Sequence, residues 1–295
     1  MIDVSKLTTY FSFVRFSHSV FALPFALTGA PLAWRPSTWL GAGDHPFSWL
    51  QVAWIVLCMV SARSAAMGFN RIADVDHDAL NPRTKMRELP RGAMKRSEAI
   101  VFVLIAASAF VYGASRLNTT CLVLSPVALA IVFWYSLAKR YTAYTQLFLG
   151  LAMAVAPVGG WIAAGGSAAA PEPWLLGLAI GLWVGGFDIL YACQDLDFDR
   201  GYGLLSIPTR FGVSRSIWLS RAMHVATVVA MAALWRVAHL PALYLVGVAI
   251  VAVLLTYEQS LVSEDDLSQV KKAFDLNGYV GIVYFLATAS SLYLR

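Results

Sequence analysis

Charged residues are scarce in this chain: Asp, Glu, Lys and Arg make up 13% of its 295 residues. A soluble domain of ordinary composition carries about 25%. Apolar residues make up 59%, the mean hydropathy is +0.65, and apolar runs near the length of a membrane-spanning helix recur along the chain. The composition therefore predicts an all-α, polytopic membrane protein and excludes an ordinary soluble domain.

Cysteine is scarce as well. The three cysteines, Cys58, Cys121 and Cys193, form no CxxC pair, which excludes a disulfide scaffold and a cysteine-based metal site. Each is predicted to be a small packed apolar side chain. The first apolar run contains Arg15 and His18 and lacks a small-residue cleavage site, so we interpret it as a retained helix.

Apolar runs separated by Gly, Pro and charged clusters predict nine membrane-spanning helices around a central cavity, in a single domain that covers residues 1–295. The predicted helices lie near 12–34, 49–70, 98–115, 119–138, 143–165, 174–195, 215–236, 241–258 and 276–294.

Lys and Arg are distributed unevenly between the two sides of this arrangement. With the N-terminus inside, the connections after helices 2, 4, 6 and 8 are cytoplasmic, and these connections and the N-terminus hold most of the 22 basic residues. This asymmetry follows the positive-inside rule. It predicts a multi-pass protein of a bacterial-type inner membrane, and it accounts for the net charge of +5 without a nucleic-acid partner.

The few carboxylates are concentrated at the ends of predicted helices 2 and 6. In "NRIADVDHD", Asn70, Asp74 and Asp78 are spaced four apart and share one face of a helical continuation of helix 2. Asp76 lies on another side of that helix.

The second cluster, "DLDFD", ends helix 6 with the same spacing, because Asp195 and Asp199 are four apart while Asp197 is off their face. Seven residues before each cluster stands another ionisable residue, Arg63 before the first and Asp188 before the second. The two halves of the chain carry similar groups at equivalent helix ends. We expect both clusters to face one cavity that opens near the cytoplasmic side.

Ionisable groups at membrane depth are costly and usually line a polar cavity. Carboxylates placed this close together repel one another unless a cation neutralises them. Oxygen ligands without a Cys or His set suit Mg²⁺, which takes one or two carboxylates and completes its shell with water and phosphate oxygens. An EF-hand loop is excluded, since Ala79 and Lys85 stand where it needs Gly and Glu. A solvated charged loop is the alternative for either cluster alone.

Basic residues lie next to both clusters. The segment "NPRTKMRELPRG" places Arg83 and Arg87 directly after the first cluster, and "YSLAKR" places Tyr135 four residues before Lys139, with Arg140 next. Anionic lipid headgroups are an alternative partner for such arginines. Carboxylates and cationic side chains around one cavity fit a Mg²⁺-bound diphosphate better, because the metal bridges the acids to phosphate oxygens and the cations hold the rest.

At these residues the sequence resembles the UbiA superfamily of intramembrane prenyltransferases. The motifs of the family are matched in order: NxxxDxxxD by Asn70, Asp74 and Asp78, YxxxK by Tyr135 and Lys139, and DxxxD by Asp195 and Asp199. The segments "RTKMRELPRG" and "SIPTRFG" also resemble segments of the family, and the likeness covers nearly the whole chain. Two positions depart from the pattern, Glu88 where many members have Pro and Leu205 where several have Lys.

The resemblance implies an enzyme that transfers a polyprenyl group from an allylic polyprenyl diphosphate to an aromatic acceptor, within the lipid bilayer and with Mg²⁺ as cofactor. The metal ligands that it implies are Asn70, Asp74, Asp78, Asp195 and Asp199. The implied catalytic residues are Asp74, Asp195, Lys139 and Tyr135, and the implied diphosphate-binding residues are Lys139, Arg140, Arg83 and Arg87.

The acceptor implied by the resemblance is a small aromatic acid, with Arg15, His18, Arg63 and Asp188 as its candidate contacts. The segments "FSHSVFALPFAL" and "RELPRG" resemble the subgroup that acts on 4-hydroxybenzoate in ubiquinone biosynthesis. 1,4-Dihydroxy-6-naphthoate, in menaquinone biosynthesis, remains an alternative because it carries the same carboxylate and phenolic hydroxyl.

An ion-coupled transporter is the alternative of another class. A transporter predicts charged residues along a path across the bilayer and broken helices at its midplane. Here the acidic groups are concentrated at the predicted cytoplasmic ends of the helices, so the pattern favours the enzyme.

Overall fold

The computed structural model describes residues 4–14, 16–34 and 48–293, without the side chains of residues 4, 5, 7, 16–22, 25, 26 and 293. These residues form helices and contain no β-strand. The long helices are α2 (Phe16–Trp34), α3 (Trp49–Leu80), α4 (Arg96–Leu117), α5 (Thr119–Ala138), α6 (Thr145–Ala163), α7 (Glu172–Ala192), α10 (Val213–Val237), α11 (Ala242–Ser260) and α12 (Val270–Tyr293). The short helices are α1 (Val4–Phe13), α8 (Leu196–Gly201) and α9 (Ile207–Phe211).

Seven helices in the described part of the chain are long and apolar enough to cross a membrane. Their outward faces carry exposed apolar side chains such as Ile105, Val225 and Val253, as expected of surfaces that contact lipid. The prediction of an all-α, multi-pass membrane protein is confirmed. The number of nine spans is not confirmed and stays a prediction.

Two helix boundaries differ from the sequence prediction in ways that matter for the site. The helix predicted at 12–34 is divided, because α1 ends at Phe13 and α2 begins at Phe16. The helix predicted at 49–70 continues without a break to Leu80, so the first acidic cluster is helical throughout. The sequence prediction ended this helix where the apolar run meets the first carboxylates. The backbone hydrogen bonds of a helix do not depend on apolar side chains, so the helix continues past that point.

Helix α7 is central to the fold and packs against α6, α10 and α12. Small residues allow the closest of these approaches: a Cβ atom on Gly150 of α6 would lie 2.3 Å from the carbonyl oxygen of Gly181 on α7. Close backbone contact of this kind is a main source of helix association in membranes, where apolar burial gives little driving force.

Three helix boundaries position polar residues that contact other segments of the chain. Helix α3 ends at Leu80, and the segment 81–95 leads from it to α4. Helix α5 begins at Thr119 and is capped by Asn118, whose side chain accepts from the amide of Cys121 at 2.8 Å and donates to the carbonyl of Ile162 at 2.8 Å, which joins α5 to α6. Helix α7 passes into a 3₁₀ turn at Cys193–Asp195 and then into α8.

We predict that Gly150→Ala lowers the thermal unfolding midpoint of the purified protein in detergent by about 3 °C or more, which is roughly 1 kcal/mol or more for a chain of this size. The added methyl group would collide with the backbone of α7. Gly159→Ala on the same helix is the matched control, because a Cβ atom there meets nothing within 4 Å, and it should not lower the midpoint. Equal midpoints for both variants would contradict the tight α6–α7 contact.

Candidate functional site

Two cavities adjoin one another inside the helical bundle. The larger, about 1250 Å³, is lined mainly by apolar residues of α3 to α7 and by parts of α10 and α12. The smaller, about 240 Å³, is lined almost entirely by polar and charged side chains at the ends of α3, α5 and α7. Four residues line both cavities, Asn70, Arg83, Arg87 and Asp188, and we call this boundary the seam.

The first acidic cluster faces the polar cavity along one side of α3. Asp74 and Asp78 are buried, whereas Asp76 is exposed, as the helical spacing predicts. The Asn70 amide nitrogen donates to Asp74 at 3.3 Å, and the ammonium group of Lys139, at the end of α5, donates to the same carboxylate at 2.7 Å. The other oxygen of Asp74, Oδ1, is buried and lacks a hydrogen-bond partner among the described residues.

The segment 81–95 folds back over the polar cavity and connects the two clusters. Arg87 donates to both carboxylate oxygens of Asp78, at 2.8 and 2.7 Å. Arg83 reaches the other half of the chain, where its guanidinium group binds the Asp195 carboxylate through two nitrogens at 3.2 and 2.5 Å. A third nitrogen of Arg83 donates to the hydroxyl of Tyr191 at 2.8 Å.

The second acidic cluster begins in the 3₁₀ turn that ends α7. A 3₁₀ helix has about three residues per turn, whereas an α-helix has 3.6. The Asp195 side chain therefore points in a different direction from the one it would have in a continuous α-helix. Asp195 and Asp199 line the polar cavity, and Asp197 is exposed. Asp188, two turns earlier on α7, lies at the seam.

The YxxxK element, at the end of α5, supplies one residue to each cavity. Tyr135 lines the apolar cavity, within electrostatic range of Arg63, Asp74 and Asp188, while Lys139 lines the polar cavity. The backbone carbonyl of Lys139 accepts from the amide of Leu205 at 2.8 Å, which joins the end of α5 to the segment after α8.

Arg140 is placed differently from what the sequence predicts. Its side chain is exposed, donates to the backbone carbonyl of Ala73 and lines neither cavity. The residue next to Lys139 is rotated by about 100° around the helix end, and here this directs the Arg140 side chain toward the backbone of α3 instead of the polar cavity. In this structure Arg140 joins α5 to α3 and is not part of the polar cavity.

The residues predicted to contact an acceptor are only partly within the described structure. Arg63 lies on the wall of the apolar cavity, and Asp188 lies at the seam. Arg15 lies outside the described residues, and the side chain of His18 does too.

Sequence analysis missed several polar residues that the structure places here. His77 and Asn81 line the polar cavity, and their positions three and seven residues after Asp74 put them on its helical face, a signal that was available in the spacing. Thr84 also lines it, and its hydroxyl donates to the backbone carbonyl of Asp78 at 3.1 Å.

A buried ion pair joins the segment 81–95 to α3. Arg71 and Glu88 are both buried, with their charged groups 3.8 Å apart, and the hydroxyl of Ser12 on α1 donates to Glu88 at 2.5 Å. Glu88, one of the two departures from the family pattern, therefore anchors the segment to both α1 and α3.

The donor groups of the polar cavity fit a divalent cation. Its described lining holds five carboxylates and three cationic side chains, a formal balance of −2 when all are ionised. Asp74 Oδ1 is a buried oxygen still able to accept a ligand. Among the described residues, no three acidic, His or Cys side chains are grouped closely enough to hold one ion. A Mg²⁺ ion here would take one or two carboxylates and complete its shell with other oxygens.

The sequence matches the UbiA prenyltransferase family over residues 22–287. It is 32% identical to the 4-hydroxybenzoate octaprenyltransferase of Marinobacter nauticus over 263 residues, which are 89% of this chain and 88% of that protein. It is 34% identical to the protein of the same name from Enterobacter sp. strain 638 over 235 residues, 78% of each chain.

Solved structures share the same fold. The apo structure of a UbiA homolog from Aeropyrum pernix K1 matches with a TM-score of 0.82 at 36% identity, covering 92% of this chain and 96% of that one. A UbiA homolog from Archaeoglobus fulgidus bound to GPP and Mg²⁺ matches with a TM-score of 0.68 at 19% identity, covering 96% of this chain and 99% of that one. The chain therefore belongs to the UbiA prenyltransferase family and is a membrane enzyme.

Proposed function

We propose that this protein transfers a polyprenyl group from an allylic polyprenyl diphosphate to 4-hydroxybenzoate, with Mg²⁺ as cofactor, in quinone biosynthesis. The observation that carries the proposal is the seam, where a small cavity lined by five carboxylates and three cations adjoins a large apolar cavity. A diphosphate with a long hydrocarbon chain has the same two-part character. The names of the relatives from Marinobacter and Enterobacter support the choice of acceptor.

In this proposal the diphosphate occupies the polar cavity and the polyprenyl chain occupies the apolar one. Asn70, Asp74, Asp78, Asp195 and Asp199 hold Mg²⁺, which supplies Lewis-acid stabilisation of the departing diphosphate when it is bound. The homolog that binds GPP and Mg²⁺ supports the same pairing of ligands.

Lys139, Arg83 and Arg87 are the cations that line this cavity. Each now binds a carboxylate, at 2.5 to 2.7 Å, and each would turn toward phosphate oxygens as the carboxylates take up metal. Their charges are held in a partly buried site, where an electrostatic interaction with the leaving group is stronger than in water.

The acceptor is placed on the apolar side of the seam. Arg63 on the cavity wall suits the carboxylate of 4-hydroxybenzoate, because a guanidinium group can bind both of its oxygens. Asp188 suits the phenolic hydroxyl, since a carboxylate oxygen accepts the O–H and increases the electron density of the ring. Tyr135 lines the same cavity, within electrostatic range of both residues. Arg15 and His18 are further candidate contacts.

The reaction then consists of three bond changes at the seam. The allylic C–O bond breaks and its electron pair leaves on the diphosphate; a ring carbon of the acceptor forms the new C–C bond, and the ring proton leaves to restore aromaticity. The apolar lining keeps water from the allylic carbon, which water would otherwise convert to an alcohol.

We propose that the whole chain acts as one domain of a bacterial-type inner membrane, with the N-terminus and the polar cavity on the cytoplasmic side. The uneven distribution of Lys and Arg supports this orientation.

Asp74→Ala and Asp195→Ala should each lower the rate of prenyl transfer by about a thousandfold or more, because each removes a carboxylate from the proposed metal site. Asp76→Ala and Asp197→Ala are the matched controls, since these acids belong to the same clusters but are exposed. All four variants should insert into membranes. Parent-level turnover in Asp74→Ala or Asp195→Ala would contradict the metal assignment.

The acceptor is tested by incubating the purified protein with Mg²⁺, a polyprenyl diphosphate and one aromatic acid at a time, followed by mass spectrometry. We expect a prenylated product from 4-hydroxybenzoate. If only 1,4-dihydroxy-6-naphthoate is prenylated, the proposed acceptor is wrong but the proposed reaction still holds. A lack of product from every phenolic acid would contradict the proposed function.

Arg63→Met should raise the KM for 4-hydroxybenzoate about tenfold or more while leaving the KM for the polyprenyl diphosphate within about twofold. The lost interaction is a charge-assisted pair, worth roughly 1.5–3 kcal/mol. Arg140→Met is the control, because that arginine lines neither cavity. An unchanged KM for the acceptor in Arg63→Met would remove Arg63 from the acceptor site.

A further inference from the structure

A histidine, His77, lies on the same face of α3 as the first acidic cluster. It follows Asp74 by three residues, and side chains with this spacing in a helix have Cβ atoms about 5–6 Å apart. Both residues line the polar cavity, whereas Asp76, between them in the sequence, is exposed and does not line it. The helix therefore places a carboxylate and an imidazole side by side in one wall of the cavity.

The imidazole of His77 has no protein partner within the described structure. Its Nδ1 atom is buried and lacks a hydrogen-bond partner there, and the half-buried ring forms no ion pair with a described residue. Buried polar atoms in folded proteins are nearly always paired with protein, with ordered water or with a bound ion. A ring in this condition that lines a cavity is available to a ligand of that cavity.

Asp74 has one oxygen in the same condition. Its Oδ2 atom accepts from Lys139 at 2.7 Å and from Asn70 at 3.3 Å. Its Oδ1 atom is buried and lacks a hydrogen-bond partner among the described residues, in a side chain that is 4% exposed overall. One carboxylate oxygen and one imidazole thus remain without partners on neighbouring turns of the same helix.

The next polar residues along this face of α3 are already engaged. Both carboxylate oxygens of Asp78 accept from Arg87, at 2.8 and 2.7 Å. The side-chain oxygen of Asn81 accepts from the backbone amide of Arg83 at 2.9 Å. A ligand that binds to Asp74 Oδ1 and to His77 therefore needs to break none of these contacts.

A carboxylate and a histidine three residues apart are a known arrangement for divalent metals in helical bundles, where Glu-x-x-His motifs project into the core. The nitrogen of a neutral imidazole is a common metal ligand. Imidazole suits the later first-row transition ions, whereas a site made of carboxylates and water suits Mg²⁺. Two protein donors also leave coordination positions for water and phosphate oxygens.

We propose that His77 is a nitrogen ligand of the metal site in the polar cavity and binds the same divalent cation as Asp74. The site then has mixed nitrogen and oxygen donors, and it favours transition ions such as Co²⁺ over Mg²⁺ more strongly than its carboxylates alone would. This inference rests on the proposed function, because that function places a divalent cation in this cavity. It adds a donor atom and a metal preference to the site.

Hydration of the ring is the competing explanation, because His77 is half-buried and not fully enclosed. His239 serves as the comparison, since it is exposed and lines neither cavity. Its φ of 47° lies in the left-handed region, which Asn tolerates better than most residues, so His239→Asn is the matched control. His77→Gln is the matched test variant, because Gln favours helices and offers an oxygen in place of the nitrogen.

The first test detects the nitrogen ligand directly. Tag-free, full-length protein labelled with ¹⁵N-histidine is mixed with Mn²⁺ and geranylgeranyl thiodiphosphate, and pulsed electron paramagnetic resonance measures the coupling of the Mn²⁺ electrons to ¹⁵N. An isotropic coupling arises when a histidine nitrogen is bonded to the ion. We expect this coupling in the parent protein and in His239→Asn, and its loss in His77→Gln and in Asp74→Asn.

The second test measures the metal preference by calorimetric titration of the same protein with Co²⁺ and with Mg²⁺. We expect His77→Gln to weaken the binding of Co²⁺ by about tenfold or more and to change the binding of Mg²⁺ by less than about threefold. The affinities of His239→Asn for both ions should equal those of the parent.

A parent that binds Mn²⁺ without coupling to ¹⁵N would overturn the role of His77 and leave the carboxylate site of the proposed function intact. Coupling that persists in His77→Gln, or an equal loss of affinity for Co²⁺ and Mg²⁺ in that variant, would also overturn it. A parent that binds none of the three metals, with or without the thiodiphosphate, would contradict both this inference and the metal requirement of the proposed function.

Discussion

The structure depends on the neutralisation of carboxylates that a membrane-spanning bundle holds away from water. A buried carboxylate is strongly disfavoured unless a cation or several hydrogen-bond donors accompany it. Here Lys139 binds Asp74, Arg87 binds Asp78 and Arg83 binds Asp195, at distances of 2.5 to 2.7 Å. These three ion pairs join α3, α5, the segment 81–95 and the end of α7, and they shape the polar cavity. The cavity lining contains two more carboxylates than cationic side chains. This excess negative charge is available to a bound cation.

The same arrangement divides the interior into two environments with a sharp boundary. On one side the lining is ionic, and on the other it is apolar. We propose that a substrate with one ionic end and one hydrocarbon end is held across this boundary, with its reactive carbon at the seam. Glycines at the α6–α7 contact and the Trp183–Asn277 hydrogen bond join α7 to α6 and to α12. Membership in the UbiA prenyltransferase family agrees with this division, and it replaces the transporter as an explanation of the buried charges.

Local periodicity explains what could be predicted from the sequence. Helix α5 begins and ends at the predicted residues 119 and 138, and the spacing of four separates the buried Asp74 and Asp78 from the exposed Asp76. Contacts between distant segments could not be predicted. Arg83 binds Asp195 across 112 residues of sequence, and Glu88 is anchored by Ser12 and Arg71, because the packing of whole helices brings these groups together. Arg140 is another example. It follows Lys139 in the sequence, but only the packing of the helices shows that Lys139 lines the polar cavity and Arg140 does not.

We propose that both acidic helix ends form one site for a metal-bound diphosphate. A crystal structure of the protein with Mg²⁺ and a non-ionising prenyl thiodiphosphate tests it most directly. We expect metal density in contact with Asp74 or Asp78 and with Asp195 or Asp199, the diphosphate between them, and the first prenyl unit in the apolar cavity. A diphosphate bound outside the polar cavity, or metal bound by neither acidic cluster, would contradict the account.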